Sequence, residues 1–207
     1  MINHGSVEEE KKQQIIAVNK VASKPILAEL SQAGFDVEWI SDLYNKRMDY
    51  KRAIPILLKW LPRTENPAVK ESIVRALSVP WAKQTEAPKL LVNEFKKQVS
   101  NPGLQWAIGN ALSIVADDNV LNDIIELIRD KTYGKSRELL VLSLGHMRAS
   151  AVEDILIELL SDEDLAGYAI MALGKVKSKK ARPEIEHYLT HPKSWVRKEA
   201  KKALKKD

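Results

Sequence analysis

The sequence predicts an all-α protein built as an α-solenoid, a stack of helix pairs. Three observations predict it. The 207 residues are 44% hydrophobic and 29% charged with both signs mixed, which supports a packed core rather than a disordered chain. Only 8 Gly, 9 Pro and 12 aromatic residues occur, too few turn and strand formers for an all-β fold. The third observation is an internal repeat. Val69–Leu77, Leu104–Leu112, Ser136–Leu144, Leu165–Leu173 and Val196–Leu204 all end in Ala-Leu or Ser-Leu, with the last leucines 35, 32, 29 and 31 residues apart.

At the N-terminus, residues 8–32 and 37–47 read as helices. Gly34 is the expected C-cap of the first and Asp36 the N-cap of the second, and Pro25 is expected to bend or split the first. Residues 1–49 are expected to form an irregular cap on the stack, and residues 50–207 about five helix pairs. No Gly-, Ser- or Pro-rich linker divides the chain, so 1–207 reads as a single domain. Within each repeated segment, small or apolar residues recur at i, i+4, i+7 and i+8, as in Leu104, Ile108, Ala111 and Leu112. That spacing is one face of a helix. Preceding each is a second helical pattern: 53–61, 87–95, 120–128, 152–160 and 181–189, three of them with Pro near the start (Pro55, Pro88, Pro183). Asn66-Pro67, Asn101-Pro102, Asp162-Glu163-Asp164 and His191-Pro192 supply the loops between, with Asn and Asp suited to N-caps. A pair of about 30 residues cannot bury its stripe alone, so pairs must stack.

A Pro in the first helix, an Asn/Asp loop and a Val-(Arg/Lys)-x-x-(Ala/Ile)-x-x-Ala-Leu second helix together resemble the HEAT-repeat family, in its short bacterial lyase-like form. Val196-Arg197 with Ala200, Ala203 and Leu204 is the fullest match, and the third copy departs most, with Ser136 in the Val slot. The resemblance covers about residues 50–207 and implies a right-handed superhelix whose second helices line the concave side.

Several chemistries are excluded or unsupported. The chain has no Cys, hence no disulfide, thiolate ligand or Cys nucleophile. No GxxxxGK[ST], GxGxxG or HExxH pattern occurs, and no cofactor is implied. His187 and His191 are spaced i, i+4, but Pro192 places His191 beyond the helix end, so both histidines read as solvated surface groups and no metal site is assigned. Some HEAT enzymes hold iron through His-Glu pairs, and no His-Glu dipeptide occurs here. Asp117-Asp118 and Asp162-Glu163-Asp164 read as loop and cap residues, not as acid–base pairs. The N-terminus lacks the pattern of a secretory or transit signal and no window resembles a membrane span, so the cytoplasm is the expected compartment.

The net charge of +5 is concentrated at one end. Residues 175–207 hold 12 Lys+Arg against 4 Asp+Glu, whereas the rest holds 21 against 24. This reads first as a soluble cap on the stack, and alternatively as a phosphate-binding patch of Lys198, Lys201, Lys202, Lys205 and Lys206. Of the five tryptophans, Trp60 is expected in the core and Trp195 as a packing staple just before the last helix. Trp106 falls off the buried line, in a slot that elsewhere holds Glu71, Glu138, Gly167 and Lys198. One turn on lie Arg75, Asn110, Leu142, Met171 and Lys202. Stacking would turn these two slots into a ladder, its centre apolar (Trp106, Leu142, Met171, with Tyr168) and its ends charged, the anatomy of a protein-binding surface. The competing expectation is that stacking buries these side chains between repeats.

The function this implies is a non-enzymatic binding scaffold for a macromolecular partner, first of all a protein. The alternative is a nucleic-acid binder, at its extreme a base-excision glycosylase, although Asn110 stands where a HEAT-like glycosylase would want a carboxylate. A lyase-type accessory role rests on the resemblance alone.

Overall fold

The computed structural model describes residues 4–205. Among them are twelve α-helices joined by loops and short 3-10 segments, with no strand, so the fold is all-α. The chain divides into two compact units, Met1–Leu77 and Ser78–Asp207.

The first unit contains α1 (His4–Gln32), α2 (Asp42–Asn45), α3 (Ile54–Trp60) and α4 (Pro67–Leu77). The first helix runs as one piece through Pro25 rather than splitting there. Proline removes one backbone donor, but Ile26 and Leu30 just beyond it are fully buried, and that burial outweighs one missing bond. Gly34 ends the helix as expected. Its φ of +88° lets the Phe35 N–H reach back to the Leu30 carbonyl at 2.9 Å. The expected helix over 37–47 shrinks to the single turn α2, and Asp36 caps nothing. Instead the Asp42 carboxylate accepts the N–H groups of Glu38 and Trp39 at 3.1 and 3.2 Å, a local turn that competes with helix. Trp60 is half-buried rather than core, with the Lys59 ammonium 5.7 Å from its ring centre. Asn66 caps α4 by accepting the Val69 N–H at 3.0 Å.

The second unit contains α5 (Ala87–Lys97), α6 (Pro102–Val115), α7 (Leu121–Arg129), α8 (Arg137–Leu144), α9 (Val152–Glu158), α10 (Ala166–Val176), α11 (Arg182–Glu186) and α12 (Ser194–Leu204). They form four pairs, α5/α6 to α11/α12, and each second helix packs beside the next: α6 on α8, α8 on α10, α10 on α12. Pro88 and Pro183 lie in the first turns of α5 and α11, where no intrahelical N–H is lost. Asn101 caps α6 through the Leu104 N–H at 3.1 Å, whereas Pro192 stays outside α12, which begins at Ser194 and takes in Trp195. The stripe residues Ala111, Leu112, Ala172 and Leu173 are buried between the pairs. Small residues set the helix spacing. A Cβ on Gly174 would meet the Ala203 Cβ and Cα of α12 at 2.9 and 3.0 Å, so only glycine permits that approach.

The polar slot after the first stripe residue has a structural job in three of these pairs. Gln105 donates to the Phe95 carbonyl at 3.4 Å, Arg137 to the Ile128 carbonyl at 3.0 Å, and Arg197 to the His191 and Pro192 carbonyls at 2.6 and 2.8 Å. Each side chain reaches back to the end of the preceding helix or its loop, where carbonyls lack intrahelical donors. Arg137, almost fully buried, also donates to Asp162 Oδ2 at 3.2 Å in the loop before the next second helix. Asp162 therefore does more than the capping expected of it, and Asp118 likewise crosses to the next pair, accepting the Arg148 N–H at 2.9 Å.

Candidate binding groove

The second helices of residues 78–207 carry a groove of about 620 Å³ across their C-terminal halves. Ile114 of α6, Leu142 of α8 and Ile170 and Met171 of α10 make its apolar floor. Pro80 and Lys83 stand at one wall, and Glu199, Lys202 and Ala203 of α12 at the other. Ser113 and Gly174 line it too, and with Gly145 they occupy one repeated position, directly after Leu112, Leu144 and Leu173. That row of small residues after the Ala-Leu or Ser-Leu pair was a sequence signal for the groove.

The rim is cationic. Lys83, Lys175 and Lys202 face His146 and a single carboxylate, Glu199, which accepts from Lys202 at 3.4 Å. The Lys175 ammonium lies against His146 Nε2. Partial burial, then the charges of Lys175 and Lys83, hold the His146 pKa below its ordinary 6.5. The sign follows directly. The unfolded chain binds the His146 proton more readily than the folded one, so this group's contribution to stability is complete above about pH 6.5 and is lost as pH falls toward the folded pKa. A His146 ring-proton titration by NMR is expected to show a midpoint below 6.5, and one above it would contradict the cationic rim.

The predicted ladder is only partly assembled into this groove. Leu142, Met171 and Lys202 line it. Asn110 is half-buried outside the lining, and Trp106 stands 48% exposed on the first turns of α6. Gly167 is not a solvent slot. The Trp195 ring of the next pair covers it, occupying the space a Cβ would need, and is itself tilted against Tyr168 with ring centres 5.3 Å apart. Tyr168 therefore belongs to that staple rather than to the groove. Its hydroxyl pKa is pushed up to about 12, by burial and then by its hydrogen bond to Glu138, which is half-buried. Lys198, Lys201 and Lys205 are exposed, whereas Lys206 lies outside the described residues. Glu71 and Arg75 belong to the first unit, where they pair at 2.6 Å along α4. Among the described residues no group of three or more His, Asp or Glu side chains converges to hold a metal ion, and no helix is long and apolar enough to cross a membrane.

Comparison with known families adds one finding. The family model for HEAT repeats matches residues 153–206, which span α9 to α12. These residues are HEAT repeats. The two HEAT pairs of that match, α9/α10 and α11/α12, supply Ile170, Met171, Lys175, Glu199 and Lys202 to the groove. The pairs α5/α6 and α7/α8 repeat that arrangement of a first helix followed by a stacked second helix, and their second helices supply Ser113, Ile114 and Leu142. No curated protein and no solved structure gives a significant match.

Proposed function

We propose that this chain is a non-enzymatic binding scaffold that captures a protein partner along the second-helix surface of residues 78–207. HEAT repeats commonly mediate protein interactions. The observation that carries the reading is the groove itself: an apolar floor whose Ile114, Leu142 and Met171 side chains stay partly open over the fully buried Ile170, bounded by polar and charged side chains. Panning the immobilised chain against a random peptide library tests it. Enriched peptides whose binding is lost in Leu142→Glu support the reading.

Nucleic acid is the second reading, favoured by the exposed Lys198 and Lys201 on α12 and Lys205 just after it. A fluorescent DNA duplex offered in parallel decides between the two. Duplex binding that weakens steeply with salt, with no peptide enriched, overturns the protein-binding reading.

Trp106 provides a separate check on the wider ladder surface. Because its ring is half exposed, Trp106→Ala is expected to change folding stability by no more than about 0.5 kcal/mol in a denaturant melt. If partner contacts extend to the first turns of α6, the same variant weakens capture by about 2 kcal/mol. A large loss of stability would place the ring in the core and remove Trp106 from the surface.

A further inference from the structure

The chemistry of the groove narrows the kind of segment it takes. Its lining carries Lys83, Lys175 and Lys202 with His146, against Glu199 alone, so the walls hold an excess of positive charge over an apolar floor. The cations come from three separate segments. Lys83 lies at the wall before α5, Lys175 at the end of α10, and Lys202 on α12 at the opposite wall. An extended chain bearing more than one carboxylate, with an apolar side chain between them, meets the cations at both walls and the floor together. Met171 on the floor is unbranched and adapts to the shape of an apolar guest, while the cations favour encounter with a partner of opposite charge and disfavour a basic one.

We propose that the groove binds a peptide segment in which a large apolar residue is flanked on both sides by Asp or Glu, the apolar residue seated on Leu142 and Met171 and the carboxylates at Lys83 and Lys202. This rests on the protein-binding reading above and specifies the partner's chemistry. Lys175 reinforces the attraction from the rim beside His146.

The test uses peptides selected by the full chain from a random library, with affinities measured by fluorescence anisotropy at low and high salt. The expected result is enrichment of sequences with a large apolar residue between acidic ones. Lys83→Glu is expected to weaken their binding at least tenfold at low salt, with a smaller ratio at high salt as screening removes the charge contribution. Met171→Glu is expected to abolish binding. Lys83→Glu, at a wall position, keeps the test decisive if Met171→Glu fails to fold, as circular dichroism will show. Lys89→Glu on α5, exposed and outside the lining, is expected to leave affinity unchanged. Selected peptides that lack acidic residues, or that bind Lys83→Glu as tightly as the unaltered chain, overturn this inference and leave the protein-binding reading standing. A chain that selects no peptide but binds the DNA duplex overturns both. A small anion such as citrate that competes fully with the peptides at equal concentration replaces the extended segment with a compact ligand.

Discussion

Arg137→Ala is expected to destabilise the fold by about 3–5 kcal/mol, measured by chemical denaturation. The side chain is almost fully buried at the start of α8 and makes three kinds of contact, to the Ile128 carbonyl, the Gly134 carbonyl and Asp162. Truncation to alanine removes all three and leaves the Asp162 carboxylate, itself largely shielded, without its guanidinium. Arg137→Lys is expected to recover only part of the loss, because an ammonium cannot span the carbonyl and the carboxylate as a planar fork does. The pH dependence provides an independent reading. Burial alone would raise the Asp162 pKa, but the Arg137 hydrogen bond, the Asp164 N–H and the charges of Arg137 and Lys131 outweigh it and hold the pKa below 3.8. Stability from this pair is therefore complete above about pH 4 and is lost as pH falls through the lowered pKa. The Arg137→Ala variant is expected to lose that part of the acid sensitivity. A variant as stable as the unaltered chain would mean the pair contributes nothing beyond a hydrophobic replacement.

Leu112→Ala is expected to cost about 2–5 kcal/mol, with the upper half of that range more fitting for a site that cannot collapse. Leu112 is fully buried near the C-terminal end of α6, at the stripe position where one pair packs on the next. Its neighbours Ile108, Ala111 and Val115 on the same helix are also fully buried, so no flexible side chain stands ready to fill the void. The midpoint of denaturation should fall with little change in the slope, as expected of a cavity that leaves the architecture intact. A loss below about 1 kcal/mol would show that the second helices are loosely packed there. Leu173, at the same stripe position in α10 and equally buried, is expected to respond alike.

Much of the fold was legible because helix burial is written in local spacing. The i, i+4, i+7, i+8 pattern placed Leu112 and Leu173 inside, and Asn66, Asn101 and Gly34 marked helix ends through bonds made within three to five residues. The misreadings came where two local preferences competed or where a partner was distant in sequence. Residues 37–47 carry helical spacing, yet the Asp42 carboxylate accepts the Glu38 and Trp39 N–H groups and the helix is limited to one turn. Gly167 looked like one more exposed slot until Trp195, 28 residues on, lay over it.

By itself, the sequence determined the all-α class, the helix pairing, the buried stripe and the positive balance of the last residues. Tertiary structure alone decided that Arg137 meets Asp162 and that Tyr168 joins Trp195 rather than the groove. It also decided that Leu142, Met171 and Lys202 share a groove with Lys83 and His146 while Trp106 stands apart. The physical reason is one of range. Which face of a helix is buried follows from a period of 3.6 residues along one chain segment. Which side chains meet across repeats depends on the rotation and offset of one helix against the next. Those are set by the volumes packed between them, such as the bare Cα of Gly174 against Ala203, and no spacing along the chain records them.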